Sequence, residues 1–98
     1  MTYSVVLKDR ARHSISDAIN YYETQQKNLG ERFLLTVKEY IGVIQNTPYL
    51  FPKTTLIYHE AYIHRFPYII IYAINEDEIV ILDVFHTSQH PKKKPPFE

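Results

Sequence analysis

The chain is 98 residues long, 45% apolar and 14% aromatic, with no net charge, which sets it up as one domain with a real core and excludes a second. Cysteine is absent, so a disulfide framework, thiol chemistry and a Cys-based zinc site are excluded. A neutral chain also lacks the basic excess that phosphate contacts give a dedicated nucleic-acid binder.

Residues 2–7 (TYSVVL) are β-rich and open the fold as a strand, which Lys8 and Asp9 end. Asp9 is a plausible N-cap, because its carboxylate accepts the orphan N–H groups of a following turn. A helix is expected over 10–26, where Ala11, Ile15, Ala18, Ile19 and Tyr22 form one apolar stripe at three- and four-residue steps. Asn28, Leu29 and Gly30 break it, with Gly30 suited either to closing this helix or to preceding the next. A second helix is expected over 31–45, with Phe33, Leu34, Val37, Tyr40, Ile41 and Ile44 as its stripe. Gly42 lies inside it and reads as a point of close approach. The short connection makes an antiparallel helical hairpin, ended at Asn46, Thr47 and Pro48.

After a loop and a weakly patterned stretch, a short strand is expected over 61–66, then a hairpin of two strands, 68–74 and 79–85. Its reversal is the acidic run Asn75, Glu76, Asp77 and Glu78. Both arms are apolar at consecutive positions, the mark of a strand covered on both faces. Helices cover one face, and a partner protein is expected to cover the other. Residues 1–91 form the domain, and the basic, proline-containing tail 92–98 is expected to be extended or mobile. Strand, helix, helix and three strands make an α+β domain, with the helical hairpin on one face of a mainly antiparallel four-stranded sheet. The N-terminus lacks a basic segment followed by a long apolar stretch, and the longest apolar run falls far short of the ~20 residues that cross a bilayer. A soluble, cytoplasmic protein with no membrane partner is therefore expected.

Several stretches carry a family resemblance: YSVVL followed by Ala11, then Tyr21-Tyr22-Glu23, LGERFL from Leu29, and the segment between Pro48 and Pro52. RFPYIIIY from Arg65 and VFHTSQHP from Val84 complete the set. In this order the chain resembles the RelE/ParE superfamily of toxins from bacterial type II toxin–antitoxin systems. The resemblance covers almost the whole chain and implies the element order just described. It also implies a small cognate antitoxin that wraps the toxin, in a heterotetramer or larger complex, and either of two targets. RelE-like members cut mRNA on the ribosome, with basic residues and a Tyr on the sheet and near the C-terminus. ParE-like members lack that set and poison DNA gyrase. This chain has Ile69 where RelE-like enzymes place a basic residue, His86-Thr87 where they place a basic pair, and no Tyr in the tail. FPY and the His-terminated last strand look more like the ParE side. That side commonly carries basic residues where Thr87, Ser88 and Gln89 stand here.

A metal-independent ribonuclease would need a base, an acid for the departing 5′-oxygen, and positive charge on the phosphorane. His86 is the candidate acid or base and Arg65 the candidate charge stabiliser, with Tyr62, His64, Tyr68 and His90 as auxiliaries. Lys92, Lys93 and Lys94 are candidate nucleic-acid contacts. The structural alternative has His86 bonding at a strand end and Arg65 paired with Asp83 or the antitoxin. A metal site from His59, His64, His86 and His90 is not expected, since the spacing of His86 and His90 falls beyond a strand and before a proline; no cofactor is expected either. A further alternative is a non-catalytic module that keeps the fold and the antitoxin face without toxicity.

Overall fold

The computed structural model describes residues 3–89 and residue 94. The elements run β1 (Ser4–Leu7), α1 (Asp9–Gln25), α2 (Leu29–Asn46), β2 (His59–Tyr62), β3 (Tyr68–Asn75) and β4 (Glu78–His86). They form one sheet in the order β1-β4-β3-β2. The β2–β3 and β3–β4 pairs are antiparallel, whereas β1 lies parallel to β4, so the sheet is mixed. A parallel pair needs a long crossover, and everything from α1 to β3 supplies it. Among the described residues no helix is long and apolar enough to cross a membrane.

The helices bury the stripes that their periodicity defines. Ala11 and Ala18 of α1 and Phe33, Val37 and Ile44 of α2 meet Tyr68, Ile70 and Tyr72 of β3 and Ile79, Ile81 and Val84 of β4. The helix ends differ from expectation. Lys8 is the N-cap of α1 and Asp9 its first residue, where its carboxylate pairs with Arg12 at 2.7 Å. Asn28, not Gly30, takes the left-handed conformation between the helices (φ 69°), a role that short polar side chains tolerate. Glu23 near the end of α1 then caps α2: its carboxylate accepts the N–H groups of Asn28 at 2.8 Å and Gly30 at 3.0 Å. A negative group at a helix N-terminus also complements the helix dipole. The close approach assigned to Gly42 belongs to Gly30, where a Cβ would stand 2.5 Å from the Ile19 carbonyl oxygen; at Gly42 it would meet nothing within 4 Å.

The strand expected over 61–66 lies earlier, at His59–Tyr62. Ala61 and Ile63 are buried while Tyr62 and His64 are exposed, which gives the stretch its strand-like alternation, but Arg65 at φ 77° breaks the extended path. On the sheet face away from the helices, Ile69, Ile71 and Phe85 are 3%, 1% and 2% exposed, with Tyr58 and Leu82 against them. That burial occurs within this chain, so a partner is not required to cover these three side chains. Lys94 sits on this face, its Nζ 3.0 Å from Glu60 Oε2 and 5.8 Å from the centroid of the Phe85 ring.

Candidate functional site

The polar end of the β3–β4 hairpin is shaped by one irregularity. Ile71 pairs with Asp83 but Tyr72 pairs with Ile81, leaving Leu82 as an extra residue in β4. Such a bulge shifts the in–out alternation of a strand by one position. Before it Ile79 and Ile81 face the helices; after it Val84 does, while Phe85 faces away. Asp83, next to the bulged Leu82, keeps the helix-facing parity of Ile79 and Ile81 and reaches α1. Its carboxylate accepts Arg10 Nε at 3.0 Å, Ser14 Oγ at 2.6 Å and its neighbour Val84 N–H at 2.9 Å. Arg10, and not Arg65, is therefore the partner of Asp83.

The same shift aims His86 at the helical side, where it lines a cavity of about 410 Å³ with Ser14, Asp17, Tyr21, Tyr68 and Ser88. His86 pairs with Tyr68 across the ladder, and their rings meet edge to face with centroids 4.9 Å apart. The His86 Nδ1 accepts the Ser88 N–H at 3.0 Å, with Ser88 Oγ at 2.7 Å. The Nδ1 atom is thereby engaged within the turn, which leaves Nε2 as the ring nitrogen with no bond to Ser88. Burial, with Tyr22, Tyr21 and Asp17 nearby, pushes the Tyr68 hydroxyl up to about 12, so it stays protonated and cannot act as a base near neutrality. The cavity has one carboxylate, Asp17, and no Lys or Arg among its lining residues.

Arg65 lies elsewhere. It lines a groove along α2 with His64, Arg32 and Glu39, and this groove shares no lining residue with the cavity at His86. Tyr62 is exposed and pairs with Ile69, which places it on the sheet face opposite Tyr68 and His86. Among the described residues, only His86 and Tyr68 of the expected site are thus brought together, and His64 and Arg65 form a separate pair. His90, Lys92 and Lys93 lie outside the described residues, and Lys94 is occupied with Glu60. His59 serves the fold: its Nδ1–H donates to the Phe51 carbonyl at 2.8 Å and its ring stacks on Tyr72. Among the described residues no three His, Cys, Asp or Glu side chains gather in a way that would hold a metal ion.

Arg32 and Asp17 were missed in the sequence. The spacing of Leu29, Arg32, Thr36 and Glu39 puts them on one face of α2 and could have pointed to Arg32. Nothing local marks Asp17, whose place beside His86 depends on the bulge.

A family model described as the ParE toxin of the type II toxin–antitoxin system parDE matches residues 5–91. A solved structure titled as a chromosomal ParDE TA system from P. aeruginosa is similar in fold, with a TM-score of 0.72 at 15% identity over 89% of this chain and 98% of that one. No curated protein matches the sequence.

Proposed function

This chain belongs to the ParE toxin family of type II toxin–antitoxin systems, and from that premise we propose that it is a gyrase-directed toxin and not an mRNA endonuclease. Family membership implies a cognate antitoxin, and the cytoplasm is where both would meet that target. The observation that carries the proposal is the separation of Arg65 from His86 into two places with no common lining residue. Phosphodiester cleavage without a metal needs proton transfer and cationic stabilisation at one phosphate. The cavity at His86 supplies a carboxylate, a protonated tyrosine and an imidazole already bonded through Nδ1. A phosphate there would meet Asp17 and no cationic lysine or arginine among the lining side chains. Gyrase inhibition requires only a binding surface, and the ParE side of the resemblance implies it.

The reading without toxicity keeps one specific support: Thr87, Ser88 and Gln89 occupy positions where ParE-like chains commonly carry basic residues. Induction of the chain in a bacterium, alone and with its antitoxin, separates the three readings. Growth arrest with broken DNA and intact transcripts supports gyrase. Arrest with cleaved transcripts contradicts the proposal, and normal growth selects the non-toxic module.

A further inference from the structure

The chain has four arginines, and the fold divides them into two kinds. Arg10 pairs with Asp83 at 3.0 Å and Arg12 with Asp9 at 2.7 Å. Arg32 and Arg65 line one groove between α2 and the turn over 63–67, and neither guanidinium has an ion-pair partner among the described residues. The wall between them is apolar, with Tyr22, Leu35 and Phe66, and Leu35 is 51% exposed. Glu39 lines the groove too, so two cations face one anion and the balance is positive.

The turn that presents Arg65 is held from three sides. The Ile63 N–H donates to the Tyr68 carbonyl at 2.9 Å, the His64 N–H to the Tyr40 hydroxyl at 2.9 Å, and the Tyr68 N–H to the Phe66 carbonyl at 2.7 Å. Within it Arg65 adopts φ 77°, a conformation that glycine takes freely and other residues take at a cost. A long charged side chain at such a position is the kind of strain that clusters at binding sites.

We propose that this groove docks a segment of the antitoxin in which a carboxylate side chain neighbours a bulky apolar one. The carboxylate lies between Arg32 and Arg65, whose planar forks match it in a two-point geometry. The apolar neighbour lies on Leu35 and Phe66. A nucleic acid fits less well, since phosphates on the two arginines would leave the apolar wall of Leu35 and Phe66 uncovered. The proposal rests on the reading that the chain has an antitoxin partner.

The test is a calorimetric titration of the full chain with its cognate antitoxin, taken from the neighbouring gene, at low and high salt. The variants are R65G, which removes the guanidinium and relieves the backbone, and R32Q. R65G is expected to keep or raise the Tm while weakening antitoxin binding about tenfold at low salt, as for a buried interface arginine. R32Q should weaken it similarly, and in both the loss should shrink as salt screens the pair. Unchanged affinity in both folded variants overturns the proposal, as does loss of gyrase inhibition with antitoxin affinity intact. If the unaltered chain binds no antitoxin, the toxin–antitoxin reading fails with it; if it binds antitoxin but spares gyrase, only the target assignment fails.

Discussion

Tyr68 and His86 face each other across the last rung of the β3–β4 ladder, with ring planes at 86° and Thr87 N–H bonded to the Pro67 carbonyl just beyond them. The contact closes the end of the hairpin, and Ser88 ties the imidazole into the turn that follows. His86 is thus engaged as a structural strand terminus.

That assignment gives a direct expectation for H86A. Removing the ring deletes the Ser88 bonds and the contact with Tyr68, at a cost of roughly 1–2 kcal/mol in stability. Toxicity and gyrase inhibition by the folded fraction should be retained. Growth assays alongside denaturant midpoints check both halves, and a stable H86A without toxicity would return His86 to the active machinery.

The buried hydroxyls make stability fall in alkali. Tyr68 and Tyr72 are each pushed up to about 12, both chiefly by burial. In the unfolded chain they ionise near the ordinary value of about 10. Their neutral forms support the fold fully below that pH, and the support is lost as pH rises from there through 12. Alkaline unfolding followed by tyrosinate absorbance should show this window. Y72F removes one such group and also leaves the buried Pro48 carbonyl, its acceptor at 2.6 Å, without a donor. It should cost about 1–2 kcal/mol at neutral pH and flatten the alkaline slope.

The two glycines should respond in opposite directions. G42A places a methyl in open space on a helix and should gain about 0.5–1 kcal/mol from helix propensity. G30A drives a methyl to 2.5 Å from the backbone oxygen of Ile19, so the hairpin must open, and it should lose stability. Thermal unfolding of both variants is the check; stabilisation by G30A would contradict the helix contact described here.

The sequence carried the two helical stripes because periodicity needs only local residues, and Ala11, Ala18, Phe33 and Val37 are buried as the spacing requires. It carried the hairpin for the same reason. It could not carry the close approach, since Gly30 and Gly42 look alike until the helices are packed together. The strand over 61–66 ends early because the alternation of Ala61 and Ile63 with Tyr62 and His64 runs past Tyr62 into a turn. The two candidate site residues lie apart for a related reason: Arg65 and His86 flank the same hairpin in sequence, but a left-handed residue sends one toward α2 and the Leu82 bulge sends the other toward α1.

Asp83 is a buried carboxylate with three hydrogen-bond donors. It is 2% exposed and accepts from Arg10, Ser14 and the Val84 N–H. D83A should lose roughly 2–3 kcal/mol, below the range for a fully buried pair because Arg10 is half-exposed. D83N, which keeps an acceptor oxygen, should lose less. Urea midpoints of the two decide this, and equal losses would contradict the assignment of two neutral donors to the Oδ1 atom.

Lys94 and Glu60 form the other ion pair with a buried member among the described residues, with side chains 32% and 7% exposed. K94A leaves the Glu60 carboxylate buried without its cation, whereas the double change K94M/E60Q removes both charges. The single variant should be less stable than the double by roughly 1–2 kcal/mol. Indifference to K94A would show that the ammonium is free for other work, including phosphate contact.

The most direct measurement is DNA supercoiling by purified gyrase in the presence of the purified chain, with an mRNA on translating ribosomes as the parallel substrate. Gyrase-directed toxicity predicts that supercoiling stops, that added antitoxin restores it, that H86A behaves like the unaltered chain, and that the mRNA stays whole. Cleaved mRNA with uninhibited gyrase would contradict it.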